Sequence, residues 1–279
     1  MQTQIIDGRK IRDEILANVA KEIKKLSFAP VFSDILIGTD PVSAQYVRMK
    51  ARTAESIGIR FHTADFPSSI TTGELLIEIE KINEITNICG AIVQLPIPEH
   101  LDKEQILNAI NSNIDVDSLG LQASSRFYGG DIEVGYPTAL ACMAILDSLQ
   151  LNLKDKKIVV IGQGQLVGKP VTFLLEARGL KVEVITRKTE EKVKRDLIKN
   201  ADVIVSATGQ GKFITGDIVK EGVVLIDAGT SEGSGGIVGD VDLDSVMNVA
   251  GYVSPVPGGV GPVTVAMLLK NVLTVAKRK

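Results

Sequence analysis

Apolar residues recur along this chain in two rhythms, and the switches between them mark out its elements. Ile11, Ile15, Leu16, Val19 and Ile23 repeat at three- to four-residue intervals and predict one face of a helix. The continuous run Ile35-Leu36-Ile37, between Asp34 and Gly38, predicts a buried strand. Helical spacing returns from about Val42 to Ile57, and Ile59 to Phe61 predicts a strand. Thr72 to Ile85 then predicts a helix, Cys89 to Leu95 a strand, and Asp102 to Ile110 a helix. Such alternation points to parallel strands with crossover helices packed on their faces.

A second series follows the patch Tyr128-Gly129-Gly130. Pro137 to Leu149 predicts a helix, and Lys157 to Gly162 a strand that runs straight into a glycine turn. Further strands are predicted at Val182 to Thr186, Val203 to Ser206 and Val223 to Asp227, with helical stretches between the first three. Val263 to Lys279 predicts a closing helix whose basic end, Lys277-Arg278-Lys279, complements the carbonyl end of the helix dipole. The continuous apolar runs of these strands suit a sheet covered on both faces. The expected class is α/β with two units joined near residue 137.

Length agrees: at roughly 150 residues per domain, 279 residues make two. The charge balance of 31 Lys+Arg against 34 Asp+Glu leaves no basic field for nucleic acid or an anionic membrane. Two cysteines, Cys89 and Cys142, build neither a disulfide framework nor a cysteine-based zinc site, and with only His62 and His100 besides no metal is expected. The N-terminus lacks the basic-then-apolar order of a signal peptide, and no apolar stretch approaches the ~18 residues of a membrane span. A cytoplasmic, reduced protein is expected.

Gly162-Gln163-Gly164-Gln165-Leu166-Val167-Gly168 lies between a predicted strand and a predicted helix. There the first glycine permits a tight turn and the second lets backbone N–H groups approach a pyrophosphate at a helix N-terminus. The spacing is GxGxxxG rather than GxGxxG, so the pattern alone also suits a purely structural turn; its strand–helix setting favours a Rossmann-type dinucleotide domain. The adenosine ribose is read at the end of the following strand, about 20 residues on, where an acid would favour NAD. Here stand Thr186-Arg187-Lys188-Thr189, which suit a 2′-phosphate and point to NADP, with NAD the alternative. The same residues also suit a solvated strand end.

In the first unit, Ser43, Tyr46 and Lys50 fall within about 60° of one another on a helix. A lysine desolvated on such a face acquires a pKa useful for proton transfer, although the same spacing also makes a mixed surface stripe. Gln94 follows a predicted strand, at the edge where ligands gather in open α/β sheets. In Asp115-Val116-Asp117, extended backbone would turn both carboxylates to one side; Asp117 also suits a cap or turn. The loop Ser254 to Pro262 is stiffened by prolines and bent by glycines, as suits a cleft-lining segment, a rigid connector or both.

In this order, these segments resemble the bifunctional methylenetetrahydrofolate dehydrogenase/methenyltetrahydrofolate cyclohydrolase family along nearly the whole chain. The resemblance runs through Ser43…Tyr46…Lys50, Val93-Gln94-Leu95-Pro96-Ile97-Pro98 to His100, Asp115-Val116-Asp117 and Val167-Gly168-Lys169-Pro170. It continues in Ala201-Asp202-Val203-Ile204, Ile226-Asp227-Ala228-Gly229, Gly239-Asp240-Val241 and the unusual Pro255-Val-Pro-Gly-Gly-Val-Gly-Pro-Val-Thr264 loop. It implies an NADP-dependent oxidation of 5,10-methylenetetrahydrofolate followed by hydrolysis of the methenyl product to 10-formyltetrahydrofolate, in a homodimer. Lys50 would be the central catalytic group with Gln94 assisting, Tyr46 packing over the folate and Asp117 holding the pterin. Ser43, Pro257, Gly258 and Gly259 would complete the folate site. Gly162, Gln163, Gly164, Gln165, Val167, Gly168, Arg187, Thr138, Thr208 and Gly209 would hold NADP. Residues 1–136 with the helix 263–279 would form the folate-binding catalytic domain, and 137–262 the Rossmann-type NADP-binding domain.

The chain departs from the family pattern around these positions. The cofactor loop usually opens Gly-Arg-Ser, against Gly162-Gln163-Gly164 here; Arg187 is the expected substitute for the missing cation. The usual Pro-Cys-Thr-Pro reads Tyr136-Pro137-Thr138-Ala139, and Ile114 and Ser118 replace a basic residue and a glycine around Asp-Val-Asp. Two other readings follow: a cyclohydrolase with weak or NAD-preferring dehydrogenase activity, or a dinucleotide-sensing module without catalysis. Retention of Lys50, Gln94 and Asp117 weighs against the second.

Overall fold

The computed structural model describes residues 2–233 and 236–279. The chain begins with β1 (Gln4–Ile5), α1 (Gly8–Ile23), β2 (Val31–Ile37), α2 (Pro41–Ser56), β3 (Arg60–Phe66), α3 (Thr72–Asn83) and β4 (Ile88–Val93). Three helices follow: α4 (Lys103–Ala109), α5 (Leu121–Tyr128) and α6 (Pro137–Ser148). Next come β5 (Ile158–Ile161), α7 (Gly168–Ala177), β6 (Val182–Ile185), α8 (Glu191–Asn200), β7 (Val203–Ser206) and β8 (Val224–Asp227). The chain closes with β9 (Ser231–Gly233), β10 (Gly236–Val238), α9 (Leu243–Val246), β11 (Tyr252–Val253) and α10 (Val260–Lys277). Two compact units result, one of residues 14–137 with 268–279, the other of residues 1–13 with 138–267.

The first of these units is built on the parallel sheet β3-β2-β4. All seven residues of central β2 are buried, so the strand starts four residues before the apolar run that predicts it. Edge strand β3 outruns its three-residue prediction because one face meets solvent and its sequence, RFHTADF, mixes polar with apolar positions. Helix α5 was not predicted: it is short, buries only Ala123 and Phe127, and so carries too little periodicity to register. The end of α10 completes this core. Gly90 of β4 passes so close that a Cβ there would stand 2.7 Å from the Val272 side chain. Buried Asn271 donates through Nδ2 to the carbonyls of Val116 (2.9 Å) and Gly135 (2.7 Å).

In the other unit the strand order is β1-β11-β8-β7-β5-β6, every pair parallel. The direction of strand addition reverses about β5, with β6 on one side and β7 on the other, which makes the β5/β7 gap the topological switch point where ligands bind in open α/β sheets. The sheet is packed by Ile161, Ile185, Ile204, Leu225 and Ile198. Strand β1, the β9–β10 hairpin, α9 and β11 are too short for their patterns to stand out in sequence. Helix α10 starts at Val260, three residues before its prediction; Pro262 is accommodated because first-turn N–H groups have no intrahelical partner anyway. Against the expectation that no stretch approaches a membrane span, α10 has a mean hydropathy of 1.3 over 18 residues and is long and apolar enough to cross a bilayer, and 67% of it is buried within the protein.

Candidate active site

Helix α2 opens on Asp40, whose carboxylate accepts from the Ser43 backbone N–H at 2.7 Å, with Pro41 in the first turn where no N–H is needed. From there Ser43, Val47, Lys50 and Ala54 recur on the inward face. Lys50 thus lies on the core stripe rather than on a mixed surface face, and is only 4% exposed. A buried ammonium requires partners. Its Nζ donates to Gln94 Oε1 at 2.7 Å and stands 2.6 Å from Asp34 Oδ2. Gln94 follows the C-terminal end of β4, and its Nε2 donates to the Leu95 carbonyl at 2.8 Å, which turns Oε1 toward the lysine. Tyr46, one turn before Lys50, is 43% exposed, and Ser43 is buried.

Asp34 is absent from the sequence-derived set. It is the middle residue of β2 and fully buried, with no hydrogen-bond partner for Oδ1 among the described residues. Burial raises its pKa, while the Lys50 charge pulls it back. An acid within an apolar strand, VFSDILI, was the available signal, since buried charges are nearly always paired.

The expected pairing of Asp115 with Asp117 on one side is not what forms. Asp115 is buried and accepts from the backbone N–H groups of Gly120 (2.8 Å) and Asp117 (3.2 Å), so the backbone turns after Val116 instead of staying extended. Asp117 is left half-buried. Burial pushes its carboxyl up to about 7, with Asp115 and Asp34 adding to the rise and Lys50 opposing it. Ser118 takes φ 57°, the left-handed region that glycine adopts without strain.

In the sheet of six strands, a cavity of about 770 Å³ opens at the C-terminal ends of β5, β6 and β7. Gly162, Gln163, Gly164, Arg187 and Thr208 line it together, whereas Gln165, Val167, Gly168, Thr138 and Gly209 are not among its lining residues. Gly162 (φ 90°) sits against the end of β7, where a Cβ would stand 2.5 Å from the Ala207 carbonyl oxygen. At Gly168 a Cβ would stand 1.9 Å from the Gly162 carbonyl oxygen, so this glycine brings α7 down onto the turn. Gln163 bends back, donating to the Gly162 carbonyl (3.1 Å) and Thr172 Oγ1 (3.0 Å). The hydroxyls of Thr186 and Thr189 each accept a backbone N–H within their own turn, which leaves the cations Arg187 and Lys188 to face the cavity. Lys194 joins them from α8, a contribution that its position beyond the strand end concealed. Asp227 and Asp240, outside this lining, hold the backbone that carries Thr208. Asp227 accepts from the N–H groups of Gly229, Asp240 and Val241, and burial pushes it up to about 7. Asp240 in turn accepts from Ser206 Oγ (2.6 Å) and the Thr208 N–H (2.8 Å). Pro257 is exposed and Gly259 buried, and the Gly258 carbonyl accepts from the Gly8 N–H at 3.0 Å.

Residues 6–117 match the profile of the tetrahydrofolate dehydrogenase/cyclohydrolase catalytic domain, and residues 136–279 that of its NAD(P)-binding domain. The chain belongs to the tetrahydrofolate dehydrogenase/cyclohydrolase family. It is 40% identical to the bifunctional protein FolD of Moorella thermoacetica over 286 aligned positions, covering 100% of both chains. The structure superposes on the bifunctional FolD dehydrogenase/cyclohydrolase of Campylobacter jejuni with a TM-score of 0.94, 34% identity and 99% of each chain covered. For the Trypanosoma brucei FolD, solved with NADP cofactor and inhibitor, the TM-score is 0.92 at 33% identity, covering 100% of this chain and 98% of that one. Within this tetrahydrofolate dehydrogenase/cyclohydrolase chain, the left-handed φ of Ser118 gives a physical reason for the glycine usual at that place.

Proposed function

We propose that this enzyme oxidises 5,10-methylenetetrahydrofolate to the 5,10-methenyl form with NADP and hydrolyses that product to 10-formyltetrahydrofolate. The observation that carries the reading is the buried Lys50 amine, aimed by Gln94 Oε1 at 2.7 Å. Hydrolysis of a methenyl cation needs a group that accepts a proton from water, and a desolvated amine at the ligand edge of a parallel sheet supplies one. Asp117 accepts the paired N–H donors of the pterin edge, which two carboxylate oxygens match. Tyr46 packs over the folate, with Ser43 and the Pro257-Gly258-Gly259 turn completing its site.

The cavity beside Gly162 suits NADP. Its glycine turn admits a phosphate close to the backbone, and Arg187 and Lys188 supply the positive charge that a 2′-phosphate requires, while Lys194 is paired at 3.4 Å with Glu191 in the same lining. When bound, NADP takes up the hydride from the methylene carbon. Gly162, Gln163, Gly164 and Thr208 orient the cofactor from the cavity lining, with Gln165, Val167, Gly168, Gly209 and Thr138 supporting them from outside it, and hydride transfer depends chiefly on such alignment. The reading includes a cytoplasmic homodimer acting on a small-molecule folate, without nucleic-acid or membrane partners.

The test is a methenyltetrahydrofolate hydrolysis assay run beside methylenetetrahydrofolate oxidation with NADP and with NAD. Both activities are expected, oxidation faster with NADP, and Lys50→Met is expected to abolish hydrolysis. Absence of both activities from the purified protein would overturn the assignment, and light scattering tests the dimer.

A further inference from the structure

The Lys50 amine has two partners, and only one of them, Gln94, belongs to the site described above. The other is a carboxylate in the middle of a fully buried strand, 2.6 Å from the same nitrogen. Its second oxygen, Oδ1, has no hydrogen-bond partner among the described residues, so Asp34 ties the strand to nothing beyond its pair with Lys50. An isolated buried ion pair is poor value for stability, since apolar residues of similar volume usually serve as well. The five apolar residues of β2 show what such a strand otherwise carries.

We propose that Asp34 is a positioning residue for Lys50: its carboxylate seats the amine against Gln94 and governs the pH at which the amine gives up its proton. The inference rests on the proposed hydrolytic role of Lys50. In that step the water oxygen bonds to the methenyl carbon and one water proton passes to the neutral amine. The carbon–nitrogen bond then breaks, the freed substrate nitrogen keeps one of the two water protons, and the other is released. The amine accepts a proton only when neutral, so a carboxylate that favours its charged form sets the acidic limb of the rate profile. The charged groups acting on the pair are Asp65 from β3 and Asp117 beside Asp115 from the segment after α4, while β4 leads to the neutral Gln94. His62 meets Ser33, whose side chain lies on the other face of β2. Asp34 is the only one of these acids within ion-pair distance of the amine among the described residues.

The test compares Asp34→Asn and Asp34→Leu with the wild type in methenyl hydrolysis across pH. Both variants remove the charge, so in both the acidic limb is expected to move at least about one unit lower. Asparagine keeps a polar seat for the amine and leucine does not, so the plateau kcat is expected to fall about tenfold more in Asp34→Leu. KM is expected to stay within about twofold, because a fully buried group does not touch substrate. A limb that stays within about 0.3 unit of the wild type in a folded variant overturns the proposal. If neither variant folds, the wild type decides by NMR with [15N]lysine and [13C]aspartate labels, the Lys50 signal being titrated together with the Asp34 carboxyl. Coupled titration is expected, and titration of Lys50 without any response at Asp34 overturns the proposal. A wild type with normal coupling but no hydrolysis refutes the functional reading and leaves the ion-pair relationship intact.

Discussion

Lys50 donates to Gln94 Oε1 across 2.7 Å, a contact that joins the inward face of α2 to the end of β4 over 44 residues of sequence. The contact depends on both elements docking against β2, so the chemistry of the amine and the packing of the unit are coupled. Lys50→Met therefore does more than remove a reactive nitrogen. It leaves Asp34 buried without its countercharge, at an expected cost of about 3–5 kcal/mol near neutral pH. That variant is expected to regain stability as the pH falls and Asp34 takes up a proton. Lys50→Met/Asp34→Leu is expected to recover most of the loss at neutral pH, and urea unfolding of the single and double variants measures the non-additivity.

If Asp117 holds the pterin as proposed, folate binding is expected to depend on pH. Its carboxyl is raised to about 7 in the folded protein, so the neutral form dominates below that pH and the carboxylate above it. Because the raised value favours the protonated form, its contribution to stability is fully present below the ordinary carboxylate value and is lost as the pH rises through about 7. In the proposed pterin contact the carboxylate is the accepting form, so binding is expected to release a proton. The folate Kd is expected to rise up to about tenfold per unit as the pH falls below this value. Titration of binding between mildly acidic and mildly basic pH, by fluorescence or calorimetry, checks this; in Asp117→Asn binding weakens and the slope disappears.

Arg187, which lines the cavity, is the proposed source of NADP preference. Replacing it with alanine is expected to lower kcat/KM for NADP about 10- to 100-fold, the scale of a charge-assisted hydrogen bond, with little effect on NAD. Steady-state rates with the two nucleotides at matched concentrations provide the measurement. An equal loss with both would assign Arg187 to the turn rather than to the phosphate.

Ser118 holds a left-handed backbone at φ 57°. Ser118→Gly relieves that strain, set against the extra entropy glycine brings to the unfolded chain, for an expected net gain of up to about 1 kcal/mol. Thermal unfolding at constant pH measures it.

Much of this was legible in the sequence. The apolar runs of β5 and β7 and the glycines at 162, 164 and 168 declare a strand, a turn and a helix in immediate succession, and local geometry is all they need. Lys50 and Gln94 were legible as separate candidates, but their contact, made across 44 residues, was not. Residues whose function comes from a distant partner stayed hidden. Asp34 reads as an interruption of an apolar run until α2 folds over it, and Lys194 reads as one cation on a polar helix until α8 meets the cavity. Asp240 has the same character, since its partners Ser206 and Thr208 precede it by more than 30 residues. Edge strand β3 is legible only in part because its solvated side carries polar residues.

The two hydrogen bonds from Asn271 to the carbonyls of Val116 and Gly135 impose an order on biosynthesis. Residues 14–137 leave the ribosome long before residues 268–279 exist, yet that stretch lacks part of its own core until they arrive. While the intervening sheet is being made, the segment that carries Asp117 waits without its anchor. Completion of this unit thus waits for the last turns of α10, more than a hundred residues downstream of the strands they pack against.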